Sequence, residues 1–123
     1  MALRVEDKVR EVAAVGLALL LGSCAQPPAG DPAYDGLAAG AQDLARSTMQ
    51  EALETARSRT SLLWNYAEDG SSGEITPLRS YRSTNGYYCR EYLEVVETAA
   101  DGRRSRQRIA CRDDGGLWKP IRS

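Results

Sequence analysis

Three cysteines, Cys24, Cys89 and Cys111, and no histidine set what this 123-residue chain can do chemically. Without histidine the chain lacks the usual general base at neutral pH and the commonest metal ligand. Three thiols are one short of a structural zinc set, so no metal or cofactor is expected. Glu91, Glu94 and Glu97 recur along one extended segment. Two carboxylates six residues apart on a strand lie ~20 Å apart, well beyond the ~5–9.5 Å of a glycosidase pair. A cell-wall-active hydrolase is therefore the weakest of the functional readings. The thiols fit a different use, with one cysteine modified and two paired.

Cys24 is the one to be modified. Val12–Leu21 is an unbroken apolar run of ten residues. As a helix it spans only ~15 Å, half of a ~30 Å hydrocarbon core, which suits a signal peptide better than a membrane span. Leu21-Gly22-Ser23-Cys24 follows directly and resembles the bacterial lipobox, in which the cysteine sulfur carries the lipid. The segment before the run balances Arg4, Lys8 and Arg10 against Glu6, Asp7 and Glu11, and so departs from the net-basic start of most leaders. Pro27, Pro28 and Pro32 make the stretch after Cys24 a tether. Ala25, by resemblance to enterobacterial lipoproteins, favours the outer membrane. The expected organisation is a leader at 1–23, a proline-rich tether at 24–35, a helical segment at 36–59 and a β domain at 60–123.

The elements that position the remaining cysteines follow from periodicity. Leu37, Ala41, Leu44, Thr48, Ala52 and Ala56 recur at helical spacing, and Thr48-Met49-Gln50-Glu51 has the form of a capping box that would restart the helix. The stripe is mostly alanine, which suits close approach to a flat sheet. From Thr60 the pattern is short apolar runs separated by Gly-rich and Asn-Gly turns: 61–66, 74–82, 87–98, 103–112 and 117–121. Pro77 marks its strand as an edge or a bulge. The expected class is α+β, an N-terminal helix packed on a small antiparallel sheet of about five meandering strands with one disulfide. If Glu97 faces Arg103 across the turn, Cys89 stands opposite Cys111 within disulfide reach. The same register puts Leu93, Val95 and Ile109 on the cysteine face. It sets Glu94 against Arg106 and Tyr92 against Arg108 on the other, polar face.

Charge is uneven along the chain. Residues 24–78 hold three basic and eight acidic side chains, and residues 79–123 hold ten basic and six acidic. Arg104, Arg106, Arg108 and Arg112 share one strand face with Tyr92. They make either a solvated surface paired with Glu94 or a binding face for an acidic envelope polymer, a lipid headgroup or an envelope protein. Nucleic acid does not fit a secreted chain of balanced charge. With no Phe in the chain, several of its aromatic side chains must form the core. Trp64, Tyr66 and Trp118 are the second candidate surface.

An ordered set of residues carries a family resemblance. Trp64-Asn65, Gly70, Gly73, Ile75-Thr76-Pro77, Arg79 and Tyr81 are followed by Tyr88-Cys89-Arg90-Glu91-Tyr92. Ala110-Cys111-Arg112, Gly116 and Trp118-Lys119 complete the set. Together with the lipobox, these resemble the rickettsial 17 kDa surface antigen family over about residues 50–120. The resemblance implies an outer-membrane lipoprotein with a C-terminal helix-plus-sheet surface-antigen domain and no attached enzymatic activity. Many members carry a glycine-rich zipper between anchor and domain. Here Gly36-Leu37-Ala38-Ala39-Gly40 is all that corresponds to it. The expected function is a non-enzymatic interaction or structural module of the envelope, membrane-bound through its lipid. The alternative is an accessory lipoprotein subunit that tethers or stabilises a larger membrane complex.

Overall fold

The computed structural model describes residues 30–121. The leader, Cys24 and the first part of the tether lie outside these residues. A helix, α1 (Ala39–Thr55), lies across a five-stranded antiparallel meander, β1 (Leu62–Tyr66), β2 (Ser71–Arg82), β3 (Tyr88–Thr98), β4 (Gly102–Arg112) and β5 (Trp118–Ile121). The α+β expectation and the strand order both hold. Cys89 pairs with Cys111, Tyr92 with Arg108, Glu94 with Arg106 and Glu97 with Arg103, the register expected from the 99–102 turn. Gly86 (φ 88°) and Gly102 (φ 68°) take up the left-handed conformations that close two of the hairpins. Pro77 precedes a shift in the β2–β3 register before Ser80, so the bulge is the device that accommodates it.

Alanine decides how α1 sits. Ala41, Ala45 and Ala52 are fully buried, and these small side chains let the helix backbone approach the sheet. Gly40 leaves room for the Tyr66 ring, and Gly73 for the Trp64 indole; a methyl at either position would collide. Two apolar clusters result. One holds Ala33, Tyr34, Leu37, Ala41, Ala45, Trp64 and Val96, and the other Met49, Ala52, Leu53, Ile75, Tyr92, Ala110 and Trp118. The helix ends on a cation. The Arg90 guanidinium, buried beneath it, donates to the carbonyls of Leu53 (2.8 Å) and Ala56 (2.9 Å). These are last-turn acceptors without helical partners, at the negative end of the helix dipole.

Three expectations are corrected. The helix does not restart at Thr48, whose hydroxyl instead donates to the Leu44 carbonyl (2.7 Å) inside a continuous helix. The tether does not extend to residue 35. Pro32–Tyr34 form a 3-10 turn capped by Asp31, and Ala33 and Tyr34 are buried against the sheet. Proline at the first position of a turn has its φ preset, so the residue that should have extended the chain folds it back. Third, the face expected to be polar and open is the covered one. The helix covers the side that carries Tyr92, Glu94 and Val96, while Leu93, on the cysteine side, is exposed. The covered side brings Trp64, Ile75, Tyr92, Val96 and Trp118, a larger apolar surface than Leu93, Val95 and Ile109 offer, and this outweighs the burial of one charged pair.

Candidate functional site

The proposed basic face is closed by the chain's own N-terminal segment. Glu94 projects from the middle of β3 and its side chain is 0% exposed. Its two oxygens are both used: Arg108 Nη1 donates to Oε1 (2.6 Å) and the Tyr34 hydroxyl donates to Oε2 (2.8 Å). Arg108, 13% exposed, reaches onward with Nη2 to Asp31 (2.8 Å). Asp31 in turn accepts from the Ala33 amide (2.9 Å). Arg104 donates to the Asp35 carbonyl (3.0 Å). Residues 31–37 therefore form a strap, clamped over β3 and β4 by a chain of charge-assisted hydrogen bonds.

The electrostatics match this enclosure. Burial pushes the Glu94 carboxyl up, against the pull of Arg108 and Tyr34. Burial also acts to raise Asp31, but the Ala33 amide and Arg108 outweigh it and hold the group below the usual aspartate range. Burial raises Tyr34, reinforced by the Glu94 charge, and burial raises Tyr92. Burial alone would lower Arg108, but Tyr92, Asp31 and Glu94 keep it firmly protonated.

Of the five residues expected to form an interaction face, Tyr92 is fully buried and Arg108 nearly so. Arg104 is bound to the strap, and Arg112 pairs with Glu54 (3.1 Å), which also accepts from the Trp118 indole (2.7 Å). Arg106 alone of the five stays exposed with no hydrogen-bond partner among the described residues. The secondary candidates are corrected too. Trp64 and Trp118 belong to the core, and half-buried Tyr66 donates its hydroxyl to Glu68 (2.6 Å). The cysteines behave as expected: Cys89 and Cys111 are joined, with Sγ–Sγ 2.07 Å and Cα–Cα 4.0 Å.

Each residue of Tyr88-Cys89-Arg90-Glu91-Tyr92 has a separate task. Cys89 ties β3 to β4, Arg90 caps α1, and Tyr92 fills the core beneath the helix. Glu91 pairs with Arg79 (3.0 Å), and Tyr88 lies exposed beneath the Arg82 guanidinium, 4.6 Å from the ring centre.

The open surface is the cysteine side, the one on which the expected register gathers Leu93, Val95 and Ile109. Leu63 is 74% exposed, and Leu93 and Ile121 are also open. Leu63, Asn65, Ser72, Glu74, Val95 and Glu97 line a shallow depression of about 500 Å³ on this side. The Glu74–Arg103 ion pair lines it, and the Arg79–Glu91 pair lies farther along the sheet. Strict alternation of strand residues separates two faces without saying which one a helix will cover. The usable signal was the bulk of Trp64, Ile75, Tyr92 and Trp118 on one side. Among the described residues there is no cluster of three or more metal-ligating side chains, and no helix is long and apolar enough to cross a membrane.

A family model described as 17 kDa outer membrane surface antigen matches residues 51–119. The chain belongs to this family. The match runs from the last turns of α1 to β5 and takes in the disulfide, Arg90, and the Glu94–Arg108 pair. The 17 kDa surface antigen of Rickettsia felis is 38% identical over 78 residues, covering 63% of this chain and 48% of that protein. That of Rickettsia conorii is 37% identical over the same length with the same coverage. That of Rickettsia australis is 47% identical over 53 residues, 43% of this chain and 34% of that protein. The chain spans about half the length of the curated relatives it matches. No solved structure matches it significantly. The strap residues Asp31 and Tyr34 lie outside the region matched by the family model.

Proposed function

We propose that this member of the surface-antigen family is a lipid-anchored module of the outer membrane that works by contact with another envelope protein, not by catalysis. The observation that carries this reading is the bare sheet face. One side of the small sheet is covered over most of its area by helix and strap. The other side presents Leu63, Leu93 and Ile121 to solvent beside a rigid disulfide. Exposed large apolar side chains grouped on one face and rimmed by ion pairs are the composition of a contact surface. The acidic residues most able to serve as acid or base are otherwise engaged: Glu94 is held by Arg108 and Tyr34, and Glu91 by Arg79.

The strap supports the anchoring part. With Asp31 fixed to the sheet, Ala25–Gly30 separate the domain from Cys24, and six residues span at most ~20 Å. An acylated Cys24 would hold the domain close to the lipid surface. The intact mass of the membrane-extracted chain tests this: acylation adds the lipid mass at Cys24, and Cys24→Ala moves the protein to the soluble fraction. An unmodified mass, or an unchanged membrane fraction for Cys24→Ala, would overturn the anchor. The accessory-subunit form of the same reading requires the bare face to stay covered through detergent extraction. A partner that co-purifies with wild type but not with a folded Leu63→Asp, Leu93→Asp chain is the result it expects.

A further inference from the structure

The fold assembles a basic corner from two places in the sequence, beside a vacant lane in the sheet. Strand β1 pairs with β2 only up to Ile75. The chain just before β1 continues the contact for three more bonds: the Ser61 and Thr76 hydroxyls bond each other (2.6 Å), the Arg59 amide donates to the Pro77 carbonyl (2.7 Å) and the Ser58 hydroxyl to the Leu78 carbonyl (2.6 Å). Beyond that point β2 has β3 on one side, and no described residue hydrogen-bonds the other edge of Arg79–Arg82. The connection to α1 leaves Arg57 and Arg59 beside this edge, and β2 itself supplies Arg79 and Arg82. All four are exposed.

Charge pairing singles out this corner. Most basic side chains of the described residues have a carboxylate within 4.0 Å, and Arg90 and Arg104 donate to backbone carbonyls. Arg57, Arg59, Arg82 and Arg106 are the arginines of the described residues with neither, and the first three belong to the two segments that border the lane. The aromatic side chains hold the guanidinium groups in place. Arg82 stacks over Tyr88 and donates to its hydroxyl (2.8 Å), and Arg79 lies over Tyr81, 4.9 Å from the ring centre. Arg59 has a left-handed backbone (φ 69°), alone among the non-glycine described residues, which places a strained cation at the mouth of the lane.

We infer that this corner receives an extended acidic polypeptide segment of the partner, added as a short strand along Ser80–Arg82 with its carboxylates against Arg57, Arg59 and Arg82. The inference rests on the contact-module reading and names the chemistry of its partner. A free strand edge offers backbone hydrogen bonds that an extended peptide satisfies, and arginines at the mouth of the lane and along β2 set the sign of its side chains. Tyr81 pairs with Cys89 and therefore lies on the bare side, so the lane is continuous with the open face on which the rest of a partner would sit.

The test uses the isotope-labelled full chain in detergent and a short peptide of alternating Glu and Thr, with polyglucuronate as the anionic-glycan probe. The expected result is saturable binding of the peptide, with slowed amide exchange confined to Arg79–Arg82. Arg57→Glu with Arg82→Glu weakens binding by roughly tenfold or more, while Arg57→Lys with Arg82→Lys recovers most of it and Arg106→Glu leaves it unchanged. Amide spectra elsewhere in the sheet report that each variant is folded. No saturable binding overturns the inference, as does peptide binding without protection of Arg79–Arg82. Tighter binding of polyglucuronate than of the peptide overturns it in favour of an anionic glycan. If the peptide fails while the bare face is still shielded in the intact envelope, the contact-module reading stands and this assignment alone falls.

Discussion

Replacing Arg108 with methionine separates the stabilising part of the clamp from its cost. Methionine keeps the unbranched apolar stem and removes the guanidinium. Glu94, 0% exposed, then keeps only the Tyr34 hydroxyl, and Asp31 loses its tie to the sheet. Removing one partner of a buried ion pair costs about 3–5 kcal/mol, because the remaining charge is buried and uncompensated. Protonation of Glu94, already favoured by burial, recovers part of this, so about 3 kcal/mol is expected at pH 7. For a domain of this size that is a fall in midpoint temperature of roughly 12–24 °C. The double variant Arg108→Met, Glu94→Gln has no buried charge, keeps an acceptor for the Tyr34 hydroxyl, and should sit within about 1 kcal/mol of wild type, giving a coupling energy near 2 kcal/mol or more. Urea denaturation of the oxidised chain, followed by the fluorescence of Trp64 and Trp118, measures both. A loss below 1 kcal/mol for the single variant, or a double variant as unstable as the single, would refute the account of the clamp.

Opening the disulfide by Cys111→Ser should cost about 3 kcal/mol, the chain-entropy value for a 22-residue separation, read as a lower urea midpoint. Arg90→Met should cost about 2 kcal/mol and fray the last turn of α1, seen as faster amide exchange at Thr55 and Ala56, because the Leu53 and Ala56 carbonyls lose a charged donor. Acid should loosen the strap. The Ala33 amide and Arg108 hold Asp31 below its ordinary value near 3.8 despite burial, so its contribution is present above that value and is lost as pH falls through the folded pKa. Glu94, raised by burial, acts in the opposite sense, its charge becoming costly as pH rises through its folded value. Amide exchange in residues 31–37 should therefore accelerate below about pH 4 before the sheet unfolds, and Asp31→Asn should show that faster exchange at neutral pH.

What the sequence disclosed and what it withheld have separate physical causes. The β3–β4 register was legible because a tight turn at 99–102 leaves little freedom, and the opposed cysteines and opposite charges agree with the same pairing. The helix was legible from its stripe of alanines, though its start and its continuity through Thr48 were not, since a threonine inside a helix can turn its hydroxyl to the preceding turn. The face was misassigned because Glu94 and the arginines look like surface residues one by one. Their burial depends on Tyr34 and Asp31, some 60 to 77 positions away in sequence, arriving from a proline-bearing segment that reads as a tether. The basic corner was invisible for the same reason. Arg57 and Arg59 lie in the acidic part of the chain, and only the β2 bulge and the short β1 bring them beside Arg79 and Arg82.

Hydroxyl-radical footprinting of the chain, purified and then in the intact envelope, tests the central claim that the helix side is closed and the bare face makes the contact. In the purified chain Leu63, Leu93, Ile121 and Tyr88 should be oxidised readily, while Tyr34 and Tyr92 should stay protected. In the envelope Leu63 and Leu93 should become shielded, with Tyr34 and Tyr92 unchanged. Oxidation of Tyr92 as fast as Tyr88 in the purified chain, or equal oxidation of Leu93 in both settings, would contradict it.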